Sequence, residues 1–175
     1  MRSDKTEELH WYVGCVRSCQ EKKVSESLAA RSVQFYLPFR REVHTWSDRR
    51  KVVDRPVIPR FVFIRCRNSE RAAILQAEPR IWRFLPEAGK AAVVRDGQME
   101  AFMRIVEQGG GEVKLSERSL APGDNVLVTA GPLSGLRCEL ISVGGGRCLA
   151  VRLGALGTAT MDLDIDTVEK ISIQK

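Results

Sequence analysis

Few side chains in this sequence could do covalent or metal chemistry. Five cysteines (Cys15, Cys19, Cys66, Cys138, Cys148) and two histidines (His10, His44) stand in 175 residues. A thiol reacts as its thiolate, which needs a base or an electropositive pocket beside it. No Cys–His–acid arrangement is readable around Cys15 or Cys66, so no catalytic residue is expected. Zinc sites need ligands at short paired spacings such as Cys-x-x-Cys. None of the five cysteines supplies that spacing, and their number is odd. His10 could join Cys15 and Cys19, but those two cysteines fall on an expected strand and an expected turn. We read all five as reduced, partly buried cysteines and expect neither metal nor cofactor.

The remaining chemistry is charge. The net charge is +6, and residues 35–67 alone hold nine basic and three acidic side chains. Residues 68–175 are close to neutral, with 13 basic and 14 acidic. A local basic block suits a polyanion, because each neutralised phosphate releases counterions. It suits a solvated charged hairpin equally well. No run of about 18 apolar residues is present, so no membrane-spanning helix is expected. Met1 to His10 is polar and of mixed charge, without the apolar run of a signal peptide, which points to a cytoplasmic protein.

The elements that would position these groups fall into two halves. Trp11 to Val16 is an apolar and aromatic run, read as a buried strand. Ser18-x-x-Glu21 has the form of a capping box opening a helix over about residues 20–31. Gln34 to Thr45 and Val52 to Cys66 read as two long strands joined by a polar tip, Trp46 to Lys51, carrying Arg49, Arg50 and Lys51. Phe61, Val62, Phe63 and Ile64 make the second of these apolar on both faces. Asn68 or Ser69 caps a second helix that ends before Pro79. Short strands follow at Ile81 to Leu85 and Ala91 to Val94. Asp96 caps a third helix with Met99, Phe102, Met103 and Val106 at helical spacing. Three short helices cover one face of such a sheet, leaving part of the other apolar and available to a partner.

Residues 109–119 are glycine-rich and polar and read as a flexible linker. Beyond them, Val126 to Val128, Cys138 to Val143, Cys148 to Leu153 and Thr160 to Ile165 are short strands separated by glycine turns. That pattern suggests a small barrel, a binding module rather than a catalytic scaffold.

Together the two halves resemble the NusG family. Trp11-Tyr12-Val13 matches the family's opening strand. Pro59-Arg60-Phe61-Val62-Phe63-Ile64 resembles its Pro-Gly-Tyr-Val-Phe-Val segment, and Pro79 to Phe84 resembles the strand after its second helix. Pro122-Gly123-Asp124-x-Val126-x-Val128-x-x-Gly131-Pro132-Leu133 is similar to the family's Gly-Asp-x-Val-x-Val-x-x-Gly-Pro-Phe, and Thr167 to Ile171 to its closing strand. The run from Trp11 to Glu21 is similar to the specialised paralogues, RfaH and above all the UpxY proteins. Three departures stand out. Arg60 replaces the family's glycine, Cys138 replaces a KOW-turn glycine and implies a changed turn, and Ala72, Ala73 and Ile74 stand where RfaH carries His-Thr-Thr.

The resemblance implies an α+β fold over residues 1–108: an NGN domain, with a four-stranded antiparallel sheet and flanking helices. It implies a linker over 109–119 and a small all-β, SH3-like KOW barrel over 120–175. It further implies an elongation or antitermination regulator that binds the clamp helices of the largest RNA polymerase subunit and suppresses pausing or termination at specific operons. The positions that match the docking concavity are Cys15, Ile58, Phe63 and Phe84, with Met99 and Phe102 from the third helix. Upstream or non-template DNA would meet Arg17, Lys22, Lys23, Arg49, Arg50 and Lys51. The KOW barrel would recruit a ribosomal protein or a termination factor, and no membrane is involved. The alternative is a KOW-containing protein that binds ribosomal RNA or assists translation. A purely RNA-binding protein would be basic throughout and would not need the two-sided apolar strand.

Overall fold

The computed structural model describes residues 7–45, 50–109, 112–116, 120–162 and 168–171. The chain divides into two compact units, Met1–Val93 and Val94–Lys175.

The first unit contains β1 (His10–Val16), α1 (Glu21–Ala30), β2 (Gln34–Tyr36), β3 (Phe39–Thr45), β4 (Arg50–Pro56), β5 (Phe61–Cys66), α2 (Arg71–Ala77), β6 (Ile81–Phe84), β7 (Pro86–Glu87) and β8 (Lys90–Ala91). The main sheet runs β2-β5-β1-β6, and the short β9 (Val93–Val94) also pairs with β1. β5 is antiparallel to both its neighbours, with Val13 opposite Phe63 and Tyr36 opposite Phe63 on the other side. Alternation sorts the side chains onto two faces. Tyr12, Val16, Val62, Ile64, Ile81 and Phe84 pack with Val24 and Leu28 of α1 and Ile74 and Leu75 of α2. Trp11, Val13, Cys15 and Phe63 occupy the opposite face.

The two long strands expected over 34–45 and 52–66 are each broken. Pro38 has no N–H for a ladder and restricts Leu37, and Pro56 and Pro59 do the same to the returning strand. The breaks lie side by side, where Val57 N–H donates to the Pro38 carbonyl at 2.8 Å. The inner halves, β2 and β5, join the main sheet. The outer halves, β3 and β4, pair only with each other as a separate two-stranded ribbon. The ribbon's tip, residues 46–49, lies outside the described residues.

The Ser18–Glu21 capping box does not form. Gln20 is the N-cap and makes no side-chain capping bond. Glu21 turns inward instead, buried, and accepts the backbone N–H of Arg60 at 3.0 Å. The second helix, α2, is not capped by Asn68 or Ser69: a 3-10 turn over Asn68–Glu70 leads into it, and that turn starts from Arg67, whose N–H donates to Glu70 Oε2 at 2.8 Å. Likewise Arg95, not Asp96, caps the third helix, and its N–H is taken by Gln98 Oε1.

The second unit contains α3 (Asp96–Gln108), β10 (Val113–Ser116), β11 (Asp124–Val128), β12 (Arg137–Val143), β13 (Gly146–Arg152), β14 (Thr158–Asp162) and β15 (Val168–Lys170). Its strands form one antiparallel sheet in the order β10-β14-β13-β12-β11-β15. Val126, Val128, Ile141, Leu149, Val151, Leu153 and Met161 fill its core. Gly144 and Gly145 both take positive φ (59° and 86°) in the two-residue turn between β12 and β13, the geometry favoured in tight hairpins.

Two expectations change here. Val113 to Ser116, placed in the linker, is a strand paired with Thr158 to Met161. The third helix, placed with the first domain, is compact with the β-sheet. It packs on β13, Arg104 donates to the Ser134 carbonyl at 2.9 Å, and Gly109 lies so close to Met161 that an added Cβ would stand 2.4 Å from its Sδ. The Thr160 to Ile165 strand is present as far as Asp162, and residues 163–165 lie outside the described residues.

Candidate functional site

The first unit carries the residues expected to dock a partner. Cys15 and Phe63 share the face opposite α1 and α2, and Ile58 lies in the loop just before β5. No helix of this unit packs on that face among the described residues. Phe84 does not join them. It stands opposite Gly14 and therefore points to the helix-covered side. There its ring meets Tyr12 edge-on, with centroids 5.9 Å apart, beneath the Arg71 guanidinium of α2. Phe84 is core, which corrects its place among the docking residues. Met99 and Phe102 belong to α3 in the second unit. Cys15, Ile58, Phe63, Phe84, Met99 and Phe102 are all at most 7% exposed.

Of the expected nucleic-acid residues, Arg17, Lys22, Lys23, Arg50 and Lys51 are exposed and Arg49 lies outside the described residues. Arg17 follows β1, while Lys22 and Lys23 open α1. Lys22 reaches Asp54 of the ribbon at 3.9 Å, so α1 stands beside the ribbon's base. Arg50 and Lys51 begin β4 at its far end, opposite Thr45 and His44. Arg50 is four residues from Asp54 and Lys51 three, about 13 and 10 Å along an extended strand. The cations thus form two groups rather than one cluster. Arg40 and Arg55 also face one another across the ribbon.

The sequence count passed over three further residues in and just before β6. Arg17 N–H donates to the Arg80 carbonyl at 3.0 Å, and Arg80 Nη1 donates to the Lys23 carbonyl at 3.2 Å. Beyond Arg80, Trp82 is 46% exposed with the Arg83 guanidinium 4.3 Å from its ring centre. Residues 68–110 hold six side chains of each sign, which hid this patch. One of the balancing acids, Glu78, is 2% exposed and spent on Arg80.

The thiols are unsuited to nucleophilic work. Cys15, Cys66 and Cys148 are buried, Cys138 is half-buried, and all five are unbridged. Burial pushes Cys15 and Cys148 up and raises Cys66 and Cys138 to about 11. Neutral thiols of this kind are poor nucleophiles and poor metal ligands. Among the described residues, no group of three or more His, Cys, Asp or Glu could hold a metal ion. No helix among them is long and apolar enough to cross a membrane.

A family model described as transcription termination factor nusG matches residues 9–103. The chain belongs to the NusG family. This is a family of transcription elongation and termination factors, not of enzymes. Among solved structures, one reporting domain interaction in Thermotoga maritima NusG is 21% identical, with a TM-score of 0.50, and covers 94% of this chain and 98% of that one. Another, of an MjSpt4:Spt5 complex, is 14% identical with a TM-score of 0.33 and covers 94% of this chain and 99% of that one. No curated protein matches the chain.

The departures from the NusG pattern now have geometry. Arg60 keeps the glycine-like backbone, with φ 70°, held because its N–H and carbonyl are bonded to Glu21 and to Val16 N–H. Cys138 does not alter a turn. It lies within β12 opposite Val126, and the preceding turn has its own positive-φ glycines, Gly131 and Gly135.

Proposed function

We propose that this NusG-family protein acts in the cytoplasm as an elongation and antitermination regulator that binds the clamp helices of the largest RNA polymerase subunit. The observation that carries the reading is the face of the first unit's sheet bearing Trp11, Val13, Cys15 and Phe63, with Ile58 at its margin and no helix of that unit upon it. A helical hairpin docking on a sheet needs such apolar anchors within a polar rim. The basic residues Arg17, Lys22, Lys23, Arg49, Arg50 and Lys51 then meet phosphates of upstream or non-template DNA, which positions the factor without reading sequence. Binding the elongating state better than the paused one shifts the balance between them, and no bond chemistry is needed. The second unit's sheet serves as a KOW domain that recruits a ribosomal protein or a termination factor. The similarity of Trp11 to Glu21 to the UpxY group supports action on a small set of long operons.

The test is binding of the full chain to a fragment carrying the clamp coiled coil. The native protein binds. Ile58→Asp, still folded by its thermal melt, loses at least tenfold in affinity. Phe84→Leu, altered on the helix-covered face, binds as the native protein does. Absence of native binding, or equal losses in the two variants, refutes docking through this face. Unchanged long-operon transcripts after loss of the gene would refute antitermination.

A further inference from the structure

A cleft opens on the helix-covered side of the first unit, where the end of α1, the start of β2 and one side of α2 do not close over the end of β5. Its volume is about 440 Å³, within the ~300–1,000 Å³ of small-molecule sites. Leu28, Val33, Cys66 and Ile74 line it with apolar surface. Ala73 and Ala77 of α2 also face it and carry only a methyl group each, so the helix approaches without filling the space. Leu9 stands beside it, 41% exposed. Packed interiors leave few gaps of this size, and an apolar body seated here would remove much of this surface from water.

The charge around the cleft has one sign to spare. Glu70 is engaged by Arg67, through the backbone N–H at 2.8 Å and Nη1 at 2.9 Å. Glu78 is buried and accepts both the backbone N–H and Nη1 of Arg80, each at 3.2 Å. Arg65 sets its guanidinium over the Trp11 ring, 6.0 Å from the centre. Arg31 is exposed and makes no ion pair or side-chain hydrogen bond among the described residues. The carbonyls that end α1 do not offset it. That of Leu28 accepts the N–H groups of Arg31 and Val33, and that of Ala29 accepts the N–H of Ser32. Ser32 holds φ 54°, where a helix end usually carries glycine, and so keeps a hydroxyl at the cleft. An apolar cleft with a guanidinium and a hydroxyl beside it is complementary to an apolar body that ends in a carboxylate. A cationic ligand would meet Arg31 as like charge, and a neutral one would leave it unused.

We propose that this cleft binds an amphipathic carboxylic acid, with its hydrocarbon body against Leu28, Val33, Cys66 and Ile74 and its carboxylate on Arg31. The site goes beyond the polymerase reading: it lies on the helix-covered side of the sheet, whereas the docking face is the other one.

The experiment titrates the full chain with octanoate, octan-1-ol and octylammonium in a calorimeter, and follows the tryptophan-detected melt of the first unit in each. Octanoate binds saturably, with a Kd of about 10 μM to 1 mM, and raises the melt as its concentration rises. Octan-1-ol binds about tenfold more weakly, and octylammonium more weakly still. Arg31→Gln costs octanoate about tenfold and leaves octan-1-ol unchanged. Ala73→Leu with Ala77→Leu fills the cleft, melts at or above the native protein and binds neither. No saturable octanoate binding up to about 10 mM overturns the proposal. So does octylammonium binding as tight as octanoate, or native-like octanoate binding by Arg31→Gln. Native-like binding by the filled variant refutes it equally, and should that variant not fold, Arg31→Gln still decides. None of these readouts depends on polymerase docking, so the two readings fail separately.

Discussion

Arg60 offers a direct test of how the chain is built. It is an L-residue at φ 70°, a region that costs a side-chain-bearing residue about 1–2 kcal/mol. Glycine removes that cost, while its freer unfolded chain gives back about 0.4–1 kcal/mol. The Arg60 side chain is exposed and the two backbone bonds, to Glu21 Oε1 at 3.0 Å and from Val16 N at 2.7 Å, do not depend on it. Arg60→Gly should therefore stabilise the first unit by about 0.5–1 kcal/mol. For a unit of this size that raises Tm by roughly 2–8 °C. Arg60→Ala keeps the Cβ and its strain, and should stay within about 0.5 kcal/mol of native. All three tryptophans lie in the first unit, so intrinsic fluorescence during a thermal melt reports on it alone. An Arg60→Gly melt at or below that of Arg60→Ala would refute the strain argument.

Four further predictions concern the second unit and the thiols. Arg152 donates to Glu139 Oε2 at 2.8 Å and to the Leu120 and Ala121 carbonyls at 3.0 and 3.2 Å. Arg152→Met should lower the unit's stability by about 2–3 kcal/mol, seen as faster hydrogen exchange in β12 and β13. Hydrogen bonds from Arg152 hold the Glu139 carboxyl below its usual 4.5. Its folded value is depressed, so its stabilisation is complete above 4.5 and is lost as pH falls through the folded value. Acid titration of the unit should show this loss, and Glu139→Gln should remove it. Gly123→Ala would place a Cβ 2.2 Å from the Leu140 carbonyl oxygen and should cost about 1–3 kcal/mol in a urea melt. With a thiol reagent at neutral pH, exposed Cys19 should react first, and Cys15, Cys66, Cys138 and Cys148 only after unfolding.

The two-part architecture was legible because its signals are local. The apolar run at Trp11, the two-sided apolar strand at Phe61 and the triple glycine at 144 each report on their own neighbourhood. What escaped depends on pairing across the chain. Pro38 and Pro56 were visible as residues, but only their lateral alignment, with Phe39 opposite Pro56 and Val57 N–H bonded to the Pro38 carbonyl, turns two long strands into a sheet portion and a ribbon. The facing of Phe84 follows from its register against Gly14, and a one-residue shift there reverses it. Ser18 and Glu21 had capping-box spacing, yet Arg60, thirty-nine positions away in sequence, had the stronger demand for a carboxylate. Trp82 was hidden because a charge count cannot separate buried acids from exposed ones. The expected boundary after the third helix rested on residue type, whereas Met161 and Ser134 decide which unit it packs into.

The ribbon of β3 and β4 has a consequence for energetics beyond its charge. Val43 and Val52 face each other across it at 63% and 62% exposure, so its ladder is held mainly by backbone bonds open to water. Isolated two-stranded ribbons are marginal, and this one belongs at the bottom of the molecule's hierarchy of local opening. Its amides should exchange long before those of β1 and β5. A partner that grips the ribbon must also supply the free energy of ordering it, which lowers the affinity its side chains would otherwise give. A cross-strand staple between positions 43 and 52 would then tighten binding without touching the partner at all.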